Sequence, residues 1–243
     1  MNSPVESHAN LESGFPLFRD WDLYARIVHH NWMRHVEVSD CVAERLSGFD
    51  RPLRVIDLGC GDGQLSRRGL RSTHVAGYTG VDLSAGALET LRRSPPTGRT
   101  TNAAVETRQA DLRAAAADLP TAEFDVVLAN YSLHHLSPDE KRETLAHIRR
   151  SLRADGVFIW SDIYRRPGQS RLGYLESLER RIRGEWTLLS EDEISQVVSH
   201  IFDADFPEEE GWMVEAAAAA GFTDWEDHFR DESFVVWSFH SRP

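Results

Sequence analysis

The stretch Val55-Ile56-Asp57-Leu58-Gly59-Cys60-Gly61-Asp62-Gly63 constrains the fold of this chain more than any other segment. A short apolar run reads as a buried strand, three glycines follow at alternate positions, and a helix begins after them. This lets a small ligand lie against bare backbone at the carboxyl end of a strand, where open α/β sheets place their ligands. Side chains at the glycines would block that approach, and glycine also permits a turn through φ > 0. A dinucleotide would bring a pyrophosphate, which wants a G-x-G-x-x-G turn and a helix N-terminus with no carboxylate beside it. Here the pattern is Asp-x-Gly-x-Gly-x-Gly, with Asp57 and Asp62 both acidic. The loop suits a ligand carrying positive charge.

Asp57-Leu58-Gly59-Cys60-Gly61-Asp62-Gly63 resembles the first motif of the class I S-adenosylmethionine (SAM) dependent methyltransferases. SAM carries an ammonium and a sulfonium and no phosphate, which fits the acidic loop. Downstream, Val75 to Asp82 reads as a second strand ending in an acid, with Ser84 placed to cap the next helix. In nucleoside-binding α/β folds an acid about 20 residues beyond the glycine loop accepts hydrogen bonds from the ribose hydroxyls, and Asp82 stands at that separation. Val105 to Gln109 followed by Ala110-Asp111-Leu112 is similar to the family's adenine site. Val126 to Ala129 suits a strand covered on both faces, opening into a loop with Asn130, Tyr131, His134 and His135. The resemblance implies that this loop lies between the methionine portion of SAM and the acceptor. It also implies a cofactor shell of Asp57, Gly59, Cys60, Gly61, Asp82, Leu83, Asp111, Leu112 and Asn130.

Further along, Ser137-Pro138 starts a helix to about Leu152, and Gly156 to Ser161 forms a fifth strand. Trp212 to Ala220 reads as a helix, and strands opening at Phe222 and Phe234 close the chain around a turn at Asp231-Glu232. The expected fold is α/β: a doubly wound, mainly parallel seven-stranded Rossmann-like sheet with an antiparallel last strand and helical lid segments. Five regions follow: a disordered N-terminus (1–14), a helical cap (15–52), a SAM-binding core (53–162), a helical lid insertion (163–206) and the end of the core (207–243).

The cap carries Trp21, Tyr24, Ile27, Val28, Trp32, Val36 and Val38 at mixed three- and four-residue steps, a helical signature. His29, His30 and His35 are interleaved with them. Either one helix folds over the cofactor mouth and offers Tyr24, His29 or His30, or, more commonly for any single histidine, the side chains are solvated or merely hydrogen-bonded on an amphipathic cap helix. The insertion holds a helix from about Ser170 to Arg183 and a second one opened by a Ser190/Glu193 capping box. Arg171, Arg180, Arg181 and Arg183 read either as a clamp for an anionic acceptor or, more commonly for mixed charge, as a solvated face laced by i,i+4 pairs.

Composition narrows the class of partner. A net charge of −12 weighs against nucleic acid, and no run of 18 apolar residues points to a membrane span. The N-terminus does not read as a signal peptide, and Cys41 and Cys60 imply no disulfide framework. A cytoplasmic enzyme with a small-molecule acceptor is expected, as a monomer or a homodimer. For the chemistry, methyl transfer needs alignment and, for a protonated acceptor, a base. His135 and then His134 stand at the strand end for that role, with Tyr131 placed to orient the acceptor. Oxygen or nitrogen acceptors are expected over carbon. No H-x-x-x-H or C-x-x-C pattern is present, so no metal is expected. Two rival classes are a SAM-binding protein without methyl transfer and, against the loop chemistry, a nicotinamide oxidoreductase.

Overall fold

A computed structural model describes residues 21–240. The expectations for residues 1–14 and for the start of the cap fall outside the described residues. Seven strands lie side by side: β1 (Leu53–Leu58), β2 (Val75–Asp82), β3 (Ala104–Gln109), β4 (Phe124–Asn130), β5 (Leu152–Arg165), β7 (Asp224–Arg230) and β8 (Phe234–His240). A two-residue strand, β6 (Glu208–Glu209), pairs with the end of β5. The sheet order is β3-β2-β1-β4-β5-β8-β7. Strands β1 to β5 are parallel to one another, and β8 runs antiparallel to both neighbours. The expected doubly wound architecture with one antiparallel strand is what the chain adopts. The chain winds outward from β1 through β2 to β3, then crosses back to β4, so the switch point lies between β1 and β4. A crevice opens there at the carboxyl ends of the strands.

Successive residues of each central strand enter opposite cores, as the period of two requires. Val55, Val126, Val157 and Phe234 pack to one side; Ile56, Val127, Phe158 and Val235 pack to the other. The second side is closed by α5 (Leu112–Ala117), α6 (Pro138–Ser151) and α9 (Glu210–Ala219). The first side takes α1 (Trp21–His29), α2 (His35–Leu46), α7 (Arg171–Glu185) and α8 (Glu191–Ala204). Leu23, Ile27, Leu175, Leu178, Ile182, Ile194, Val197 and Ile201 of these helices are all buried there. At about 1.5–3 kcal/mol per fully buried large aliphatic side chain, these helices are part of the core and not loose flaps. Between them, α3 (Gln64–Gly69) and α4 (Ala85–Arg93) make the crossovers after β1 and β2.

The helical signature of the cap does not run through as one helix. The chain breaks between α1 and α2, where Asn31 (φ 55°) and Arg34 (φ 60°) are left-handed. Asparagine tolerates that conformation. Here its side chain also fixes the break, accepting from Val36 N at 2.8 Å and donating to Glu37 Oε2 at 2.7 Å. The capping expectations hold elsewhere: Ser84 accepts from Ala87 N, and Ser190 and Glu193 form a capping box.

Arginines gather at the amino ends of the strands. Asp125, fully buried at the start of β4, accepts from Arg51 at 2.5 Å, Arg153 at 3.0 Å and the backbone of Arg54 at 2.7 Å. The carboxyl ends carry the opposite charge.

Candidate functional site

The crevice between β1 and β4 continues under the cap and the insertion as one cavity of about 210 Å³. Its floor is the glycine loop. Gly59 has φ +77°, and a Cβ there would come within 2.3 Å of Ser132 Cβ, so only glycine lets the loops after β1 and β4 meet. Ser132 Oγ donates to Leu58 O at 2.7 Å and holds them together. Backbone N–H groups of Gly59 and Cys60 donate to Val81 O at 2.8 and 2.9 Å, tying the loop to β2.

The acids are placed by local hydrogen bonds. Asp82 accepts from Gly61 N and Ser84 N, both at 2.8 Å, which fixes its carboxylate across from the loop. Asp57 Oδ2 accepts from Ser66 Oγ and from the Tyr78 hydroxyl at 2.7 Å, whereas Oδ1 has no partner among the described residues. Burial pushes the Asp57 carboxyl up to about 6, against the hydrogen bonds from Ser66 and Tyr78. Desolvation likewise raises Asp82, and it raises the Cys60 thiol well above its ordinary value. Asp111 and Leu112 line the same end, with Asp111 Oδ1 already capping α5 through Arg113 N and Ala114 N. Leu83 and Asn130 line it too, and neither amide atom of Asn130 has a partner among the described residues.

The lid half is built from side chains of distant segments. Tyr131 (φ 55°) turns its ring against Phe234 and His35, and its hydroxyl donates to Met33 O, joining the β4 loop to the cap. Ile163, Leu178, Ile182, Trp186, Val197 and Ile201 supply apolar wall. Cap and insertion also bind each other: Trp32 stacks on Trp186 at 5.1 Å with planes 8° apart, and Arg26 pairs with Glu193.

His134 and His135 follow on a single 3₁₀ turn, Leu133–His135. His134 Nδ1 lies 2.5 Å from Asp162 Oδ1. Asp162 is held in turn by Trp160 Nε1 at 3.0 Å and by the backbone N–H groups of His134 (3.1 Å) and Ile163 (2.9 Å). His135 Nδ1 lies 3.2 Å from Ala204 O and 3.3 Å from Asp205 Oδ1. Burial opposes charge on His134, but Asp162 and Asp205 outweigh it and raise its pKa. Asp205 is buried too, yet His134, His135 and His200 hold its carboxyl below the usual range. Burial brings His200 and His35 each down to about 4, so both are neutral near pH 7.

The three sequence-predicted catalytic side chains and all nine predicted cofactor residues line this one cavity. Tyr24 lines it as well, hydroxyl 3.3 Å from His35 Nε2, whereas His29 and His30 are exposed. The arginines of α7 lie elsewhere. Arg183 pairs with Glu179 at 2.8 Å, Arg181 with Glu185, and Arg171 donates to carbonyls of Phe202 and Asp205. Arg183 and Arg171 are helix-surface and helix-end partners, whereas Arg181 is largely buried, donates to Ser233 Oγ at 3.0 Å and lies over the ring of Phe234, behind the cavity wall. Sequence reasoning missed Asp162, His200, Asp205 and His35. Asp162 and His35 stood in segments already singled out, but nothing local marked His200 or Asp205.

Residues 56–158 match the family model described as a methyltransferase domain. That stretch, which runs from β1 into β5, is a methyltransferase domain. Among curated relatives, the malonyl-(acyl-carrier protein) O-methyltransferase of Halalkalibacterium halodurans is 31% identical over 130 residues, 53% of this chain and 46% of that protein. The indolepyruvate C-methyltransferase of Streptomyces griseus is 30% identical over 142 residues, 54% and 42% of the two. The chain thus spans about half the length of the relatives it matches. In fold it resembles the Burkholderia thailandensis 1,6-didemethyltoxoflavin-N1-methyltransferase, solved with its acceptor and S-adenosylhomocysteine. That likeness has a TM-score of 0.58 and 19% identity, over 100% of this chain and 94% of that one.

Proposed function

We propose that this methyltransferase binds SAM in the glycine-loop half of the cavity and transfers its methyl group to an oxygen or nitrogen atom of a small-molecule acceptor under the lids. One observation carries the reading: beside the glycine loop, Asp57 Oδ1 and both amide atoms of Asn130 are buried without partners among the described residues. Each such group costs about 1–3 kcal/mol if left unsatisfied. The ammonium and carboxylate of a methionine moiety would satisfy them. Five aspartates line the cavity (Asp57, Asp62, Asp82, Asp111, Asp205), with no lysine or arginine among the described lining residues. That field favours a donor with a sulfonium and an ammonium against one carboxylate over a phosphate ligand.

In this reading Asp57, Gly59, Cys60 and Gly61 lie along the methionine portion with Asn130. Asp82 accepts from the ribose hydroxyls beside Leu83, and Asp111 and Leu112 border the adenine. The acceptor heteroatom attacks the methyl carbon as the carbon–sulfur bond breaks, and the electron pair of that bond leaves on sulfur as S-adenosylhomocysteine. The enzyme chiefly aligns the two and excludes water. The acceptor's proton passes to His135, whose imidazole sits at the junction of the halves, within electrostatic reach of Asp82. His134, held between Asp162 and Asp205, supports that end. Tyr131 bounds the acceptor's seat while its hydroxyl pins the cap.

A net charge of −12 speaks for a small-molecule acceptor over nucleic acid. Among the described residues no helix is long and apolar enough to cross a membrane. A cytoplasmic site of action, as a monomer or homodimer, is part of the proposal. So is the division into cap, core, lid insertion and closing segment at 15–52, 53–162, 163–206 and 207–243. Titration calorimetry with SAM, S-adenosylhomocysteine and NADH tests the donor. Micromolar binding of the first two alone is expected, and an acceptor panel follows. Binding of neither sulfur nucleoside would reduce the glycine loop to architecture.

A further inference from the structure

On the lid side of the cavity, three imidazoles converge on one oxygen. Asp205 Oδ1 is buried, and the His135 Nδ1 that faces it also lies 3.2 Å from Ala204 O, a contact that binding an ion would replace. Ring nitrogens of His135, His134 and His200 lie 3.3, 3.5 and 4.0 Å from it. We propose that His134, His135 and Asp205 bind a divalent transition-metal ion, and that the acceptor's heteroatom takes the remaining coordination position. Only that last ligand rests on the methyltransferase reading.

The spacing argues for an ion between these atoms. Bonds of about 2.0–2.1 Å to nitrogen and oxygen in a tetrahedral site place neighbouring ligand atoms about 3.3–3.4 Å apart. The His135 separation from Asp205, 3.3 Å, falls at that edge length and the His134 separation, 3.5 Å, lies just beyond it; all three donor atoms lie within 4.8 Å of one another, so an ion would draw the set slightly inward. A direct imidazole–carboxylate hydrogen bond would be shorter, about 2.7–2.9 Å when charge-assisted. His134 is also presented as metal-bound histidines are. Asp162 engages its Nδ1 and leaves Nε2 toward Asp205. Asp162 is itself pinned by an indole and two backbone N–H groups, so the ring cannot easily turn.

The donor set selects the ion. Two imidazoles and one carboxylate suit zinc, cobalt(II) or nickel, whereas magnesium prefers all-oxygen shells that keep several waters. Three protein ligands leave a position open, which is the arrangement of catalytic zinc sites rather than structural ones. An acceptor held through its heteroatom would lose its proton more readily at the ion. His135 would then act as a ligand, and its role as base would belong to the metal-free protein. The sequence expectation of no metal rested on local patterns, and two adjacent histidines with an aspartate seventy residues away make no local pattern.

The test uses the whole chain, stripped with a chelator and titrated with Zn²⁺ and with Co²⁺. One ion per chain is expected, with a tetrahedral cobalt visible band. Asp205→Asn and His134→Gln should each weaken binding at least tenfold, and Asp162→Asn by about 10–100-fold through the lost orientation of His134. SAM calorimetry on every stripped protein reports that the pocket is folded. Should Asp205→Asn fail that check, His135→Gln replaces it. A SAM-competent wild type that takes up no stoichiometric ion, or variants that bind it equally well, overturns the metal site and leaves the methyltransferase reading standing. Stoichiometric uptake in a wild type that binds no SAM supports the ion site and sinks the other reading. Loss of the ion on His30→Gln would put it on the exposed His29–His30 pair and also overturn the proposal.

Discussion

The two halves of the cavity are made by different means. The donor half is built largely of backbone and short-range bonds: glycines 59, 61 and 63, and an aspartate fixed by N–H groups at Gly61 and Ser84. The lid half is built of side chains that meet only after folding, from α1, the β4 loop, α7, α8 and the start of β8. The first construction can present one invariant ligand and tolerates little change, because a Cβ at Gly59 collides with Ser132. The second can be rebuilt residue by residue without disturbing the sheet.

That contrast is open to direct attack. The largest effect is expected at the junction. His135→Ala should cut turnover of the metal-free protein by about 10²–10⁴-fold through loss of proton transfer, while SAM affinity measured by calorimetry stays near that of the parent. A collapse of SAM binding instead would move His135 into the donor half. Asp82→Ala removes the ribose acceptor, and with it about 1.5–3 kcal/mol for hydrogen bonds to a charged group, a 10–100-fold weaker SAM Kd. Unchanged affinity would leave the ribose assignment without support.

A subtler effect comes from Asp57. Its folded pKa is raised from 3.8 to about 6 by burial, so the folded state takes the proton more readily than the unfolded one. That contribution to stability is full below about pH 4 and is lost as pH rises through 6. Pairing with a cationic ligand works in the other direction, so SAM affinity should climb across that same window. Asp57→Asn should flatten the climb; an unaltered slope in the variant would assign it elsewhere. The smallest effect is predicted for Arg183→Ala. It breaks an exposed i,i+4 pair with Glu179 and should change stability by under about 0.5 kcal/mol, with no change in acceptor KM. A raised KM would revive the anion clamp.

The same contrast explains what the sequence made legible. Asp57 through Gly63 and Asp82 are readable because strand, loop and cap act within a few residues, and the ligand meets them where the chain turns. Ser190 and Glu193 announced α8 for the same reason. The α1–α2 break was hidden because it depends on what Asn31 does for Val36 and Glu37, against a hydrophobic spacing that runs on past it. Asp205 and His200 were unreadable because their meaning lies in partners about seventy residues earlier. An aspartate before Phe206-Pro207 looks like any end of a helix. Its neighbours become visible only once the backbone N–H of Phe206 has bonded to His134 O at 2.7 Å and brought the insertion onto the β4 loop.

The stacked indoles of Trp32 and Trp186 join two covers that the chain contributes independently, one before the sheet and one after β5. Because the covers grip each other, a motion that frees one must also break its hold on the other. Opening over the cavity is therefore one coupled event and not two independent ones. In the proposed reaction that event would stand beside the chemistry as a separate step on the way out for the spent nucleoside.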